Sequence, residues 1–327
     1  MLQYLIILLD ETSASYCHYP KPEKTGKLIS IEDLKEGILF AMKENLTIQF
    51  IYPDHPLPSE YNDIIETIDH VKIKPIGADL SNADIIIVDS LSRINEIELD
   101  INKPYVLRID KESLNNNLEI IATILPKVAR LNVVITDIES FTDEDFDTYT
   151  KNLRQLGVLV KNHYASGLSP QFNLLTDRMV LEKMNNCNAG DTNITLAPDG
   201  RFYPCPAFFY EKAETRYMGL GGPEQAPFSI GDLKNGLNIK NAQLYKIDHA
   251  PLCRKCDAYH CKRCIWLNWK LTREINTPSH EQCVISHLER NASRQLLGSV
   301  RELGSFLPEH DIPEINYLDP FDVREEW

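Results

Sequence analysis

Cysteine is the residue type with the clearest chemical potential in this 327-residue chain, and seven of the eight cysteines fall in one stretch. They are Cys187, Cys205, Cys253, Cys256, Cys261, Cys264 and Cys283. Thiols at this density predict metal binding rather than core packing, because thiolates are ligands for both zinc and iron-sulfur clusters. A disulfide framework is disfavoured, since nothing else in the chain indicates secretion.

The spacing of the central thiols separates the two kinds of metal site. The pairs Cys253/Cys256 and Cys261/Cys264 are only four residues apart, whereas the two knuckles of a zinc ribbon usually need a longer excursion between them. Such a tight run is closer to ferredoxin-type ligation, in which neighbouring cysteines can serve different clusters. The spacing therefore favours iron-sulfur clusters, and zinc remains the alternative.

The whole cysteine pattern is C-x12-G-x4-C, then C-x2-C-x4-C-x2-C, then one further cysteine. This pattern resembles the SPASM domain, the auxiliary iron-sulfur module of peptide-modifying radical SAM enzymes, whose middle block is usually one residue longer in each of its last two gaps. The resemblance implies two 4Fe–4S clusters. Cluster I would be held by Cys187, Cys205 and Cys264, and cluster II by Cys253, Cys256, Cys261 and Cys283. Cluster I is one thiolate short. Either a residue that the spacing does not reveal completes it, with His260 and Cys17 as candidates, or one iron is open to a substrate atom.

The first part of the chain must provide the framework, and it alternates apolar runs with amphipathic segments. Strands are predicted at residues 5–9, 46–52, 71–75, 84–88, 105–109, 133–136 and 158–160. Helices are predicted after the cap residue Ser30, at 60–68, at 118–128 with an interruption at Pro126, and from the cap residue Thr142 to a stop at Gly157. Repeated strand-helix units predict an α/β fold with a parallel sheet, closed as a partial TIM-like (β/α)6 barrel.

The sequence as a whole predicts three domains in sequence order. These are a radical-SAM-like partial barrel at residues 1–180, a SPASM-like iron-sulfur domain at 181–290, and a helix end with an extended tail at 291–327. Within the second domain, Asp199-Gly200 predicts a tight hairpin that would hold Cys205 rigidly, and the glycine-rich stretch 219–223 predicts an insertion. An amphipathic helix is predicted at residues 286–303.

Chemistry in a parallel sheet belongs to the loops that follow the strands, and the first such loop runs from Asp10 to Tyr19. It resembles the C-x3-C-x-aromatic-C motif of radical SAM enzymes only at its end. Tyr16 and Cys17 match, whereas Asp10 and Ala14 stand where the first two cysteines belong. One thiol cannot hold the cluster that binds S-adenosylmethionine. No S-adenosylmethionine cluster is therefore expected, and no catalytic residue is assigned.

Several stretches together are similar to the CXXX repeat peptide maturase family, a radical-SAM-like group with a C-terminal SPASM domain. They are residues 10–19, 51–54, 258–268 and 277–283. The resemblance implies a part in maturing a ribosomally synthesised, cysteine-repeat peptide, either by binding this precursor or by relaying electrons, beside a partner maturation enzyme. Two alternatives stay open, a zinc-stapled interaction module and a peptide-modifying redox enzyme that works without S-adenosylmethionine. Whether the chain is itself an enzyme is left undecided.

Charge and hydropathy narrow the remaining function classes. The formal net charge is -14 at pH 7, which argues against nucleic acid as a partner because such binding relies on a basic surface. The apolar run at residues 4–9 is too short to span a membrane and lacks the flanks of a signal peptide. The sequence therefore predicts a cytoplasmic protein without a membrane partner.

Overall fold

The computed structural model describes residues 2–20, 26–211 and 228–315 of the chain. Clustering of contacts divides the chain into two compact units. Unit 1 comprises Met1–Ile87, Asn188–Pro251 and Cys264–Thr277, and unit 2 comprises Val88–Cys187, Leu252–Arg263 and Pro278–Trp327. The glycine-rich stretch 219–223 lies outside the described residues. These units are defined by contacts and do not test the predicted division into three sequential domains, which stays a prediction.

Strands and helices follow one another along the chain. The strands of the described residues are β1 (Tyr4–Leu8), β2 (Thr47–Ile51), β3 (His70–Pro75), β4 (Ile85–Val88), β5 (Pro104–Ile109), β6 (Arg130–Ile135), β7 (Asn193–Leu196), β8 (Arg201–Tyr203), β9 (Gly231–Asp232) and β10 (Gly236–Leu237). The α-helices are α1 (Ile31–Lys43), α2 (Ser59–Ile65), α3 (Lys111–Asn116), α4 (Leu118–Ile124), α5 (Asp143–Ala165), α6 (Thr176–Val180), α7 (Pro206–Tyr210), α8 (Ile265–Thr272) and α9 (His280–Arg301).

Unit 1 is built on a sheet with the strand order β10-β9-β8-β7-β1-β2-β3-β4. The pairings of β1 with β2, β2 with β3 and β3 with β4 are parallel, as the sequence predicts. On its other side β1 pairs in parallel with β7, which continues through antiparallel pairings into β8, β9 and β10. The hairpin around Gly200 is confirmed, and this glycine has a φ of 75°, which a residue with a Cβ rarely adopts. Closure of the sheet as a partial barrel stays a prediction.

The core of unit 1 forms where α1 covers the sheet. Ser30 caps α1, because its hydroxyl accepts a hydrogen bond from the Asp33 amide at 3.0 Å, which confirms the predicted helix start. Gly37 lets the helix approach closely, since a Cβ built there would lie 2.4 Å from the Leu196 side chain. The apolar residues of β1, β2, β7 and α1 thereby form one buried cluster.

Unit 2 contains the parallel pair β5–β6 and a layer in which α5 packs against α9. The predicted interruption at Pro126 is confirmed, because α4 ends at Ile124 and a 3-10 turn follows. The predicted stop at Gly157 and the predicted strand at 158–160 are wrong, since α5 continues to Ala165. Leu153, Leu156 and Val160 keep the helical spacing of buried positions through this glycine. Their burial outweighs the cost of about 1 kcal/mol for glycine inside a helix.

The predicted C-terminal helix begins earlier in the sequence than expected. It begins at His280 rather than Ser286, because the Ser279 hydroxyl caps it by accepting from the Gln282 amide at 3.2 Å. Cys283 therefore lies in the first turns of α9 instead of in a loop. None of the helices in the described residues is both long enough and apolar enough to cross a membrane.

Candidate metal centre

Four of the predicted cysteine ligands line one cavity of about 110 Å³ in unit 2. They are Cys253, Cys256, Cys261 and Cys283, the set that the resemblance assigns to cluster II. A single water needs a cavity volume of roughly 10–15 Å³. The cavity is several times larger than this, and therefore larger than one metal ion of similar size requires. Its size and its donors suit a polynuclear metal group bound by thiolates.

Two segments that are distant in sequence supply these thiols. Three cysteines come from the loop at residues 252–263, whose backbone turns tightly, with the Cys256 amide donating to the Cys253 carbonyl at 3.1 Å. The fourth is on α9, where Cys283, Ser286 and His287 share one face at a spacing of three and four residues. All three of these helix residues line the cavity. A rigid helix thus holds one wall of the cavity, and the cysteine loop forms the other.

The cysteine sulfurs accept hydrogen bonds from several neighbouring donors. The Cys256 sulfur lies 3.4 Å from the Ala258 amide and 3.5 Å from His287 Nε2. The Cys261 sulfur accepts from the Arg263 amide at 3.4 Å and from the Ser286 hydroxyl. Donors aimed at ligand sulfurs are a means by which proteins tune iron-sulfur clusters.

The cavity wall also carries cationic groups. Lys255 and Arg263 line it, and no acidic residue is among the described residues that do so. Arg263 is buried and donates a side-chain hydrogen bond to the Cys253 sulfur. Four thiolates concentrate negative charge, and these groups would offset part of it. The charge of the wall is therefore the one that a thiolate-ligated group needs.

Burial keeps Cys253, Cys256 and Cys261 protonated in the absence of metal. It raises the pKa of Cys253 to about 12 and the pKa of Cys256 to about 11, and it also raises the pKa of Cys261. Arg263 opposes the shift at Cys253, and the Ala258 amide opposes the shift at Cys256. Metal binding would replace these protons, because the thiolate is the ligand.

An ion-pair cluster of two buried arginines and the partly exposed Asp257 lies next to Cys256. Asp257 accepts two hydrogen bonds from Arg290, at 2.7 and 2.5 Å, and one from Arg178 at 3.3 Å. Arg178 also donates to the Asp257 carbonyl at 2.6 Å and lies over the ring of Tyr259. Burial alone would raise the pKa of Asp257, but the two guanidinium groups lower it below its ordinary value. Asp257 is therefore a carboxylate at neutral pH that fixes the backbone next to Cys256.

A second buried chain of side chains stands behind Cys261. His260 Nε2 lies 3.0 Å from one oxygen of Glu289, and the Tyr149 hydroxyl donates to the other oxygen at 2.7 Å. The chain joins the cysteine loop to α9 and α5 within unit 2. The sequence suggested His260 as a ligand that completes cluster I. That suggestion stays a prediction, and the contact with Glu289 gives His260 a second role in holding the loop.

The predicted ligands of cluster I are divided between the two units. Cys187 belongs to unit 2, where it is exposed and its amide donates to the Lys262 carbonyl at 3.0 Å. Cys205 and Cys264 belong to unit 1, where they occupy the N-cap positions of α7 and α8. The Cys264 sulfur accepts from the Leu267 amide at 3.5 Å. The assignment of these three cysteines to one cluster stays a prediction.

The loop after β1 is closed by its own hydrogen bonds. The buried Asp10 carboxylate accepts from the Thr12 amide at 2.6 Å and from the Thr12 hydroxyl at 2.5 Å. The Asp10 amide donates to the Ser13 hydroxyl, which donates in turn to the Ile51 carbonyl at 2.8 Å. Cys17, the other candidate to complete cluster I, follows in this loop and lies close enough to Tyr19 to raise its pKa, after the larger effect of burial.

The residues that support the cavity were missed by the reasoning from sequence. Ser286, His287 and Arg290 follow Cys283 at intervals of three, four and seven residues, which is the spacing of one helix face. This signal could have been found only if the helix had been started at Ser279. Among the described residues, no three histidine, cysteine, aspartate or glutamate side chains converge on a position for a single metal ion.

With this geometry established, comparison with known proteins finds similar solved structures. The chain is similar to anSMEcpe, an anaerobic sulfatase-maturating radical SAM/SPASM enzyme. Its structure with bound AdoMet and the Cp18Cys peptide has a TM-score of 0.61 and 12% sequence identity, covering 92% of this chain and 99% of that chain. The structure with bound AdoMet alone has a TM-score of 0.60 and 11% identity, covering 92% and 100%. The likeness shows the fold.

Other comparisons add little. Streptococcus suis SuiB bound to its precursor peptide SuiA has a TM-score of 0.39 at 15% identity, covering 63% of this chain and 60% of that chain. No protein-family profile matches the chain, and no curated protein matches its sequence.

Proposed function

We propose that this protein takes part in maturing a ribosomally synthesised, cysteine-repeat peptide as a cytoplasmic, pseudo-radical-SAM/SPASM protein. In this proposal a partial (β/α)6 barrel and a SPASM-like domain bind the precursor peptide and relay electrons through two auxiliary 4Fe–4S clusters. The observation that carries it is the cavity lined by Cys253, Cys256, Cys261 and Cys283. The fold likeness to anSMEcpe, crystallised with a bound peptide, supports the peptide as substrate class.

The residues of the cavity fit a 4Fe–4S cluster in number, type and charge. Four thiols surround a space larger than one ion needs, amide and hydroxyl donors point at two of the sulfurs, and the His287 imidazole lies beside one of these sulfurs. When bound, such a cluster supplies one-electron transfer. The chain's own contribution is to hold Cys283 on a rigid helix and to fix the cysteine loop through Asp257 and His260. Four protein thiolates leave no iron of this cluster open, which suits electron relay rather than substrate binding.

Cluster I is the proposed site of contact with the peptide. Its three cysteines, Cys187, Cys205 and Cys264, leave one ligand position to be filled. Cys187 is exposed, so a thiol of a cysteine-repeat peptide could reach this cysteine from solvent. In the proposal the substrate thiol supplies the missing ligand, which turns an incomplete site into a docking point. Cys17 and His260 are the protein residues that would supply this ligand if the peptide does not.

A partner maturation enzyme is proposed for any step that needs S-adenosylmethionine. Asp10 and Ala14 replace the first two cysteines of the radical SAM motif, and the Asp10 side chain is buried in a turn of its own hydrogen bonds. This loop has no thiol at either position, so the radical chemistry would belong to another protein.

Anaerobic reconstitution followed by assays of iron, sulfide and zinc tests the proposal. We expect about eight irons for each chain if both sites hold four-iron clusters, together with a visible absorption band. A cysteine-repeat peptide should perturb this spectrum, and the same peptide with serine in place of cysteine should not. A colourless protein that contains zinc would replace the proposal with the zinc-stapled interaction module.

A turnover assay separates the remaining alternative. Reduced protein and precursor peptide, incubated without S-adenosylmethionine, should return the peptide with unchanged mass if the protein binds and relays electrons. A mass change under these conditions would identify a peptide-modifying redox enzyme acting on its own.

A further inference from the structure

Arg290 is a fully buried arginine on α9 that touches two separate parts of unit 2. Its guanidinium binds the Asp257 carboxylate, and it also donates to the Pro313 carbonyl at 2.6 Å. Asp257 follows the ligand candidate Cys256, and Pro313 lies in the C-terminal segment at residues 305–315. One side chain therefore joins the cysteine loop to the C-terminal segment.

We propose that Arg290 is a positioning residue for the Cys256 ligand, and that the C-terminal segment is the part of the site that keeps Arg290 in place. This inference rests on the proposed cluster site and names what holds it together. It assigns to the C-terminal segment a role in metal retention, although this segment supplies no ligand.

The bond between Arg290 and Asp257 has the geometry that fixes orientation. Nε donates to one carboxylate oxygen at 2.7 Å and a terminal nitrogen donates to the other at 2.5 Å, so the two planar groups are held edge to edge by paired bonds. Lysine cannot make this pair, because its ammonium is a single point charge. Since Cys256 is the next residue to Asp257, the direction of its Cα–Cβ bond is set by the same contact.

The C-terminal segment is held along α9 by Arg301 and by the buried Ile312. Arg301 donates to the Leu307 carbonyl at 2.7 Å and also to the carbonyls of Phe306 and His310. The side chain of Ile312 is buried, with 1% of its surface exposed, directly before Pro313. These contacts place the Pro313 carbonyl where it accepts from Arg290. They explain why a segment without helix or strand has a fixed course.

The charge balance around Arg290 explains why its position depends on the C-terminal segment. Arg178 and Arg290, both buried, share the single carboxylate of the partly exposed Asp257, so these three side chains together carry one excess positive charge. A buried guanidinium needs an acceptor for its donors, and removing one partner leaves the rest uncompensated. Without the Pro313 carbonyl, water or a different side-chain arrangement must satisfy Arg290, at the expense of its bond to Asp257.

Two measurements on the full-length protein test the inference. The first is the rate at which iodoacetamide alkylates Cys256 in metal-free protein, measured by peptide mass spectrometry, with Cys253 as the internal reference. The second is the rate of iron loss to a chelator from reconstituted protein, followed by visible absorbance. We expect Arg290→Met to accelerate iron loss about tenfold, because loss of a residue behind a metal ligand typically costs 10–100-fold in metal affinity. Arg290 also lowers the pKa of Cys256, so the alkylation rates are compared for the fully ionised thiolate, taken from the pH profile of each protein, and this rate should rise in Arg290→Met. Arg290→Lys should give rates between those of the wild-type protein and those of Arg290→Met.

The control variant changes Arg294, one helical turn after Arg290 on α9, and the second variant changes Ile312 in the C-terminal segment. Arg294→Met removes a neighbouring arginine that binds Glu314 of the segment at 3.3 Å but is 43% exposed and does not contact Asp257, so both rates should stay at the wild-type value. Ile312→Ala keeps Arg290 and removes the anchor of the segment, so both rates should rise. Circular dichroism verifies that each variant is folded.

Three results would overturn the inference. These are a folded Arg290→Met with wild-type rates, an Ile312→Ala with wild-type rates, or an Arg294→Met that matches Arg290→Met. If Arg290→Met does not fold, Arg290→Lys and Ile312→Ala decide the question. A wild-type protein that binds no iron refutes the proposed function alone, since the alkylation of Cys256 is measured without metal.

Discussion

Arg263 shows how much of the candidate site depends on single side chains. Its backbone has a φ of 44°, in the left-handed region, where a residue with a Cβ costs roughly 1–2 kcal/mol. In this conformation the Arg263 amide donates to the Cys261 sulfur, while the side chain, 3% exposed, donates to the Cys253 sulfur. One strained residue thus supplies donors to two of the four thiols.

These contacts predict the reduction potential of the cluster proposed in the cavity. Reduction adds one negative charge, which the Arg263 guanidinium stabilises, so Arg263→Met should lower the midpoint potential. A charge-assisted hydrogen bond is worth about 1.5–3 kcal/mol, of which part is lost, and the shift should be on the order of 50 mV. A redox titration followed by electron paramagnetic resonance measures it. Arg254→Met is the matched control, because Arg254 is exposed on the same loop, and an equal shift in both variants would contradict the prediction.

The division of the cysteines into two sets makes a separate prediction. Cys283→Ser removes a thiol of the cavity, so about four of about eight irons should be lost while the spectrum of the other cluster persists. Cys264→Ser, the matched variant, should remove the complementary set, because Cys264 caps α8 in unit 1 and does not line the cavity. Iron assay and electron paramagnetic resonance of both proteins give the result. Loss of the same signal in both variants would show that the assignment of ligands is wrong.

At the scale of elements, α9 organises unit 2. One face of this helix carries Cys283, Ser286 and His287 toward the cavity, and Arg290 continues the same face one turn later. The same helix packs against α5, and Glu289 binds the Tyr149 hydroxyl on α5. Stability of α5 is therefore coupled to the helix that carries the metal-binding wall.

The N-cap of α5 offers a measurement of this coupling. Thr142 and Asp145 form a capping box, in which the Asp145 carboxylate accepts from the Thr142 amide at 2.8 Å. Thr142→Ala should lower the free energy of unfolding by about 1 kcal/mol, as loss of an N-cap usually does. Thr148→Ala, in the middle of the same helix, should leave it unchanged or slightly raised, because alanine is the better helix former. Urea denaturation measures the free energy of unfolding of both variants. Equal destabilisation of the two would contradict a stabilising role for the Thr142 cap.

The same elements show what sequence can and cannot predict. Local chemistry was sufficient for the Ser30 and Thr142 caps, the Gly200 hairpin and the break at Pro126, because each depends on a few neighbouring residues. It was insufficient at Gly157, where burial of a helix face outweighs a local stop signal. Pairing of β7 with β1 could not be read from either strand, since it joins residues almost two hundred positions apart.

The candidate site also contains residues that the sequence predicts and residues that it does not. The cysteine ligands could be predicted because thiol spacing is itself a signal, and four of them line one cavity. The groups behind them could not. Arg178, Asp257 and Arg290 meet from three distant segments, and nothing in the sequence near any one of them indicates the other two. Contacts of this kind depend on tertiary packing, which periodicity and capping rules do not contain.

For the whole molecule, the question is which chemistry the fold still supports. The fold is similar to that of anSMEcpe over 92% of this chain, and anSMEcpe was solved with AdoMet bound. Fold alone does not carry function, because the same framework serves different chemistry once the residues of the site change. In this chain the loop after β1 has an aspartate and an alanine at the first two cysteine positions, with the aspartate side chain fully buried.

We therefore expect the reconstituted, dithionite-reduced protein to form no 5′-deoxyadenosine from S-adenosylmethionine, with or without precursor peptide. The physical reason is that Cys17 alone cannot hold a cluster that needs three thiolates. Asp10, one oxygen of which is bonded to Thr12, and Ala14 do not supply the two missing thiolates. Liquid chromatography with mass spectrometry detects the product, and anSMEcpe assayed in parallel verifies the reductant. Formation of 5′-deoxyadenosine that persists in Cys17→Ser would trace the activity to the cysteines of cluster I or cluster II, whereas its loss in that variant would restore radical chemistry to the loop after β1.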